Sequence, residues 1–166
     1  MWPPEFGLRQ VSNSSRTYEA IYRLISKNTP ESQPSARARI IKAGEFSAGN
    51  VVLDESAFGA GIGVVTSPKY PAFAEYKVTL PAGGEQEIWL RYASAEPRPV
   101  ALSLNGKPVN RSACPEATGG FHPAEQNWCK AGRFPMQQGV NTIRLDTTGP
   151  FPHIEKLAVS PPGATR

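Results

Sequence analysis

The sequence contains no long apolar run and few of the residues that most often bind metals or carry out catalysis. No stretch approaches the roughly 18 consecutive apolar residues of a membrane-spanning helix, so we expect a soluble chain with no membrane partner. The chain also starts without the basic and apolar regions of a signal peptide. Its 166 residues include two histidines and two cysteines.

Motifs that identify common enzymes are missing as well. There is no Gly-x-Ser-x-Gly elbow and no His-Glu-x-x-His zinc motif. Gly59, Gly61 and Gly63 do not match a dinucleotide-binding fingerprint, because the third glycine comes one residue early and no strand-turn-helix context surrounds them. The net charge is +4, but the basic residues are scattered, so we expect no nucleic-acid partner.

The composition and spacing predict an all-β domain. Gly 15 and Pro 17 make up nearly a fifth of the chain and divide it into short segments. Residues 74–80 alternate between small or apolar and polar side chains, as in a strand with one buried face. Asn105-Gly106 favours a type I′ hairpin turn. The predicted strands are residues 39–43, 51–53, 62–65, 74–80, 87–92, 100–104, 107–109, 139–146 and 153–159.

We therefore divide the chain into an N-terminal extension or linker (1–38), one β-sandwich domain (39–160) and a tail (161–166). In the extension, Tyr18, Ile21, Tyr22 and Ile25 follow helical spacing. This pattern fits a short amphipathic helix that docks on the domain or on a partner, and it equally fits a frayed leader.

Cys114 and Cys129 lie close together in what the pattern indicates is a single loop. Such a pair is typical of a disulfide in an oxidising compartment. We therefore expect an extracellular or periplasmic location, with the chain forming part of a longer secreted protein. A zinc site from Cys114, His122 and Cys129 is the alternative, but it lacks the short Cys-x-x-Cys spacing and a clear fourth ligand.

The order of these segments resembles the jelly-roll sandwich of the family 6 and family 35 carbohydrate-binding modules, which are galactose-binding-domain-like. The resemblance spans about seven-tenths of the chain, from Arg39 to Val159. The segments that carry it are residues 41–46, 58–64, 73–78, 90–93, 102–106, 118–121, 139–145 and 149–157.

The resemblance implies a sugar bound in a cleft formed by loops at one end of the sandwich. In these modules aromatic rings stack on the apolar face of the sugar, and an amide side chain before the last strand bonds its hydroxyls. Here the ring positions fall on Phe58 and Phe121, and the amide position falls on His153, where the family usually has Tyr or Trp and Asn. The two phenylalanines could instead anchor loops in the core.

Two further candidate ligand contacts, Trp128 and Glu125, belong to the same loop region. Trp89 alternates away from its neighbours Ile88 and Leu90, so it points to the opposite side of its strand. We expect a neighbouring segment to bury it, with a second ligand site as the alternative.

The resemblance also implies a structural calcium near the first and last strands. The corresponding positions are Lys42, Gly44 and Glu155, so two of three oxygen ligands are missing. We expect no calcium at this site and no cofactor. Our hypothesis is that the Lys42 ammonium takes the place of the cation and pairs with Glu155.

Two other functions remain open. A small glycosidase-like hydrolase could use His153 with Glu155, or His122 with Glu125, as an acid and base pair. A protein–protein adhesion domain is the third possibility, because one scaffold serves many partners.

Overall fold

The computed structural model describes residues 33–162. The predicted helix at 18–25 lies outside this range, as does the end of the tail. The strands are β1 Arg39–Lys42, β2 Ala48–Gly49, β3 Val52–Asp54, β4 Val64–Thr66, β5 Ala72–Leu80, β6 Gly84–Ala93, β7 Val100–Leu104, β8 Lys107–Ala113, β9 Asn127–Met136, β10 Gly139–Thr147 and β11 His153–Ser160. Two short 3-10 helices, Ala43–Glu45 and Pro123–Glu125, complete the elements. Between residues 33 and 162, no helix is long and apolar enough to cross a membrane.

The strands form two antiparallel sheets, which confirms the predicted all-β sandwich. One sheet has six strands in the order β3-β4-β11-β6-β9, with β1 paired to another part of β11. The other has five strands in the order β2-β5-β10-β7-β8. The buried faces of the two sheets meet in one core, whose largest fully buried side chains are Tyr76, Phe151, Ile88, Leu90, Leu102, Ile143, Leu145, Ile154 and Leu157.

The segments with the clearest patterns form the strands predicted for them. In β5, Ala74, Tyr76, Val78 and Leu80 are buried, as its alternation requires. The β7–β8 hairpin turns at Asn105-Gly106 with positive φ angles of 52° and 86°, the values that a type I′ turn needs.

The prediction that residues 114–129 form a single loop is wrong at its end, because β9 begins at Asn127. This strand lies at the sheet edge and carries a register shift opposite Ile88 and Trp89 in β6. It also contains Pro135, which an edge strand tolerates. The irregular register and the proline remove the period-two pattern by which sequence analysis finds strands.

The predicted disulfide is present. Cys114 directly follows β8, and Cys129 lies within β9, with 5.9 Å between the Cα atoms. Since β8 and β9 are edge strands of different sheets, the bond joins the two layers of the sandwich. Nearby, Asn110 Nδ2 donates to the Ala131 carbonyl at 2.7 Å and makes a second connection across the same edge.

Candidate functional site

Four rings converge at one end of the sandwich. The centroid of His153 lies 4.8 Å from Phe58 and 4.6 Å from Phe121. The two phenylalanine rings are 6.0 Å apart, and His122 lies 5.4 Å from Phe58. The β3–β4 loop, the β8–β9 connection and the start of β11 therefore bring the three predicted ligand positions into one ring cluster.

Asp54 at the end of β3 fixes the loop that carries Phe58. Its Oδ1 accepts from the backbone N–H groups of Ser56 and Ala57, and its Oδ2 accepts from that of Phe58, each at 3.0 Å. These bonds, with Ala57 first, lower the pKa of Asp54. The turn holds the Phe58 ring at the surface, where 36% of the residue stays exposed.

The loop that carries Phe121 is tied to the end of β6. The Tyr92 hydroxyl donates to the Glu116 carbonyl at 2.6 Å, and burial raises the pKa of Tyr92 to about 12. Thr118 exchanges hydrogen bonds with Ser94, donating its N–H at 2.7 Å and accepting at Oγ1 at 2.9 Å. These contacts, together with the disulfide, restrict the positions that Phe121 can adopt.

His153 begins β11 in the middle of the ring cluster and is only 8% exposed. Burial, followed by the positive charge of Arg98, lowers its pKa to about 4, although a hydrogen bond to the Phe121 backbone opposes the shift. The ring is therefore neutral at pH 7. Within the described part of the chain, its Nδ1 has no hydrogen-bond partner.

This lowered pKa predicts a pH dependence of stability. Below its ordinary pKa of 6.5, His153 takes up a proton in the unfolded chain, whereas the folded chain resists protonation until about pH 4. The free energy of unfolding should fall across that interval as pH is lowered, by roughly 1–3 kcal/mol after allowance for solvent screening. Urea unfolding at several pH values measures it. The slope should flatten in His153→Gln and persist in His122→Gln, and equal slopes in both variants would contradict the assignment.

Sequence reasoning missed two polar side chains beside the cluster. Gln126 is 4% exposed; its Nε2 donates to the His153 carbonyl at 3.0 Å, and its Oε1 has no partner among residues 33–162. The Arg98 guanidinium lies over the Phe121 ring at 4.4 Å and donates to the Phe151 carbonyl at 3.0 Å. It also pairs with Glu96 at 3.0 Å. The two prolines that flank Arg98 were the available signal, since they indicate a rigid loop.

Glu125 stabilises its own loop. Its Oε1 accepts from the His122 N–H at 2.9 Å and lies 3.8 Å from His122 Nδ1. Trp128 lies in β9 with Arg91 and Lys156 each 5.8 Å from its ring, so its closest charged contacts are on the outer face of the six-stranded sheet.

The hypothesis that Lys42 pairs with Glu155 is wrong. Glu155 Oε1 lies 3.0 Å from Arg91 Nε, and Oε2 lies 3.7 Å from Lys156 Nζ. Glu155 sits at a β-bulge between Ile154 and Lys156, which turns its side chain toward β6. In the strand register, Lys42 faces Lys156 instead. Across residues 33–162, no group of three or more His, Cys, Asp and Glu side chains could hold a metal ion.

Trp89 is buried, as expected. It is 3% exposed, its Nε1 donates to Glu87 Oε1 at 3.1 Å, and Lys130 Nζ lies 5.7 Å from its ring.

No protein-family model and no curated protein sequence matches this chain. Solved structures do. A family 35 carbohydrate-binding module from Clostridium thermocellum matches with a TM-score of 0.63 and 24% identity, over 76% of this chain and 100% of that one. The chain has the fold of a family 35 carbohydrate-binding module.

Two other structures extend the comparison. The family 35 module of Paenibacillus barcinonensis has a TM-score of 0.66 at 22% identity, over 74% of this chain and 98% of that one. An exo-β-1,3-galactanase from Phanerochaete chrysosporium, solved with β-1,3-galactotriose, has a TM-score of 0.62 at 18% identity. That match covers 75% of this chain and 29% of the galactanase, so the family 35-like fold corresponds to one part of a larger enzyme.

Proposed function

We propose that this chain is a non-catalytic carbohydrate-binding module that holds a sugar against the ring cluster of Phe58, Phe121 and His153. One observation carries the proposal: these rings converge beside two buried polar atoms, Gln126 Oε1 and His153 Nδ1, that have no partner in residues 33–162. Buried polar atoms are rarely left unpaired. Sugar hydroxyls can bond both atoms while the apolar face of the ring packs on Phe58.

Arg98 extends the site in a way that a phenylalanine cannot. Because its guanidinium lies over one face of Phe121, it supplies donors where the usual tyrosine or tryptophan would offer a polar tip. A neutral His153 accepts a hydrogen bond at Nδ1 without placing a second positive charge beside Arg98.

We further propose that the module belongs to a larger secreted, hydrolase-associated protein that acts outside the cell or in the periplasm. The disulfide supports an oxidising compartment. The galactanase that shares this fold, with most of its chain outside the match, supports a multidomain parent.

A matched pair of variants tests the binding site. Phe121→Ala should weaken binding at least about tenfold, because it removes ring area and releases Arg98. Phe73→Ala is the control, since Phe73 also carries an arginine over its ring, with Arg144 at 4.0 Å, but lies in β5 of the other sheet. Calorimetry and retention against a panel of soluble and insoluble glycans measure the affinity.

The other outcomes separate the alternatives. Equal losses in both variants would contradict a specific role for the ring cluster. Turnover of a chromogenic glycoside without stable binding, abolished by Glu155→Gln and His153→Ala, would favour the hydrolase. If the panel gives neither binding nor turnover, the adhesion reading replaces the module.

A further inference from the structure

The outer face of the six-stranded sheet is buried where a bare sheet would be open to solvent. Ile88 and Leu90 belong to the core, so Trp89 between them points outward. Leu157 and Val159 are also in the core, so Ala158 points outward as well. Nevertheless, Trp89 is 3% exposed and Ala158 is fully buried.

The same burial extends to the neighbouring positions on this face. Ser160 is fully buried, and Glu87, which pairs with it across β6 and β11, is 8% exposed. Within residues 33–162, the main contacts of β6 and β11 are with their sheet neighbours and the two 3-10 helices. Helices of three residues are too short to cover four positions across two strands. The cover must therefore come from another part of the chain or from a partner.

The chain enters the described region beside this face. The Ser35 N–H donates to Ser160 Oγ at 3.1 Å, so the residues before Ser35 leave from the end of β11. The seven residues 26–32 can span up to roughly 23 Å when extended, enough to return across the sheet. Before them stand Tyr18, Ile21, Tyr22 and Ile25 at the spacing of one helix face.

We propose that residues 18–25 form a short amphipathic helix that packs this apolar side on the face formed by Glu87, Trp89, Ala158 and Ser160. Eight helical residues are roughly 12 Å long, close to the width of three strands. The burial of Trp89 and Ala158 and the direction of the chain at Ser35 both favour an occupant from the same molecule.

This inference is independent of the proposed sugar site. Ala158 lies five residues from His153 along β11, which corresponds to roughly 17 Å. A variant in the segment should leave glycan affinity unchanged, so each proposal can fail without the other.

Ile25→Asp in the full chain tests the docking, with Ala20→Asp as the control because position 20 falls on the opposite side of the helix. Ile25→Asp should lower the Tm by about 5 °C, whereas Ala20→Asp should change it little. Hydrogen exchange followed by mass spectrometry should show amides 18–25 protected in the wild type and in Ala20→Asp but not in Ile25→Asp.

A second variant places the change on the sheet. Ala158→Glu should release amides 18–25 to exchange, because a long charged side chain cannot fit beneath the helix. Rapid exchange of 18–25 in the wild type, or equal Tm losses from Ile25→Asp and Ala20→Asp, would overturn the proposal. Protection that disappears on dilution would assign the face to a second copy and would overturn it as well.

Discussion

A Cys114→Ser, Cys129→Ser double variant should lose about 3 kcal/mol of its free energy of unfolding. The disulfide closes a loop with a sequence separation of 15, and in the loop-entropy model a crosslink of that size restricts the unfolded chain by this amount. Because the bond also joins edge strands of both sheets, its loss should increase the opening of that side of the sandwich. Urea unfolding under oxidising conditions measures the difference.

The wild type under reducing conditions provides the control, since it removes the bond without changing any side chain. Its loss of stability should match that of the double variant. Glycan affinity should also fall in both, because the loop that carries Phe121 must then be ordered on binding. Unfolding curves that coincide for the oxidised and reduced wild type would contradict this stabilising role.

Gly59→Ala should destabilise the domain by about 1–3 kcal/mol and abolish measurable glycan binding. A Cβ at this position would lie 1.8 Å from the Asp54 carbonyl oxygen and 2.7 Å from the Val64 backbone nitrogen. Neither atom belongs to a flexible side chain, so the backbone must move. That movement breaks the Asp54 turn and displaces the Phe58 ring from His153.

Gly149→Ala is the matched control for this variant. A Cβ at Gly149 meets nothing within 4 Å, and its φ is not positive. Thermal unfolding and calorimetry of the two variants, side by side, separate a specific steric effect from a general cost of replacing glycine. Unchanged affinity in Gly59→Ala would show that the Phe58 loop does not form part of the binding site.

The sequence predicts the scaffold well where local patterns are regular. The alternation in β5 and the Asn105-Gly106 turn are short-range signals, and each leads to the right element. The pairing of Cys114 with Cys129 was predictable for a similar reason, because the chain offers no other cysteine.

The remaining features depend on irregular geometry that has no local signature. The register shift and Pro135 conceal β9, and the bulge at Glu155 turns that carboxylate toward Arg91 instead of Lys42. Arg98 joins the site only because its loop folds over Phe121, a contact between residues 23 positions apart. Such long-range contacts become visible only when the strands are assembled.

The crosslink between β8 and β9 also affects how the sandwich meets its neighbours. Free sheet edges are the usual route to strand pairing between molecules. Here the two longer edge strands lie side by side and are covalently joined, which leaves β3 and β2, with three and two residues, at the other ends of the two sheets. Strands that short offer little template for pairing, so the domain should resist edge-to-edge aggregation even at the high local concentrations reached on a polysaccharide surface.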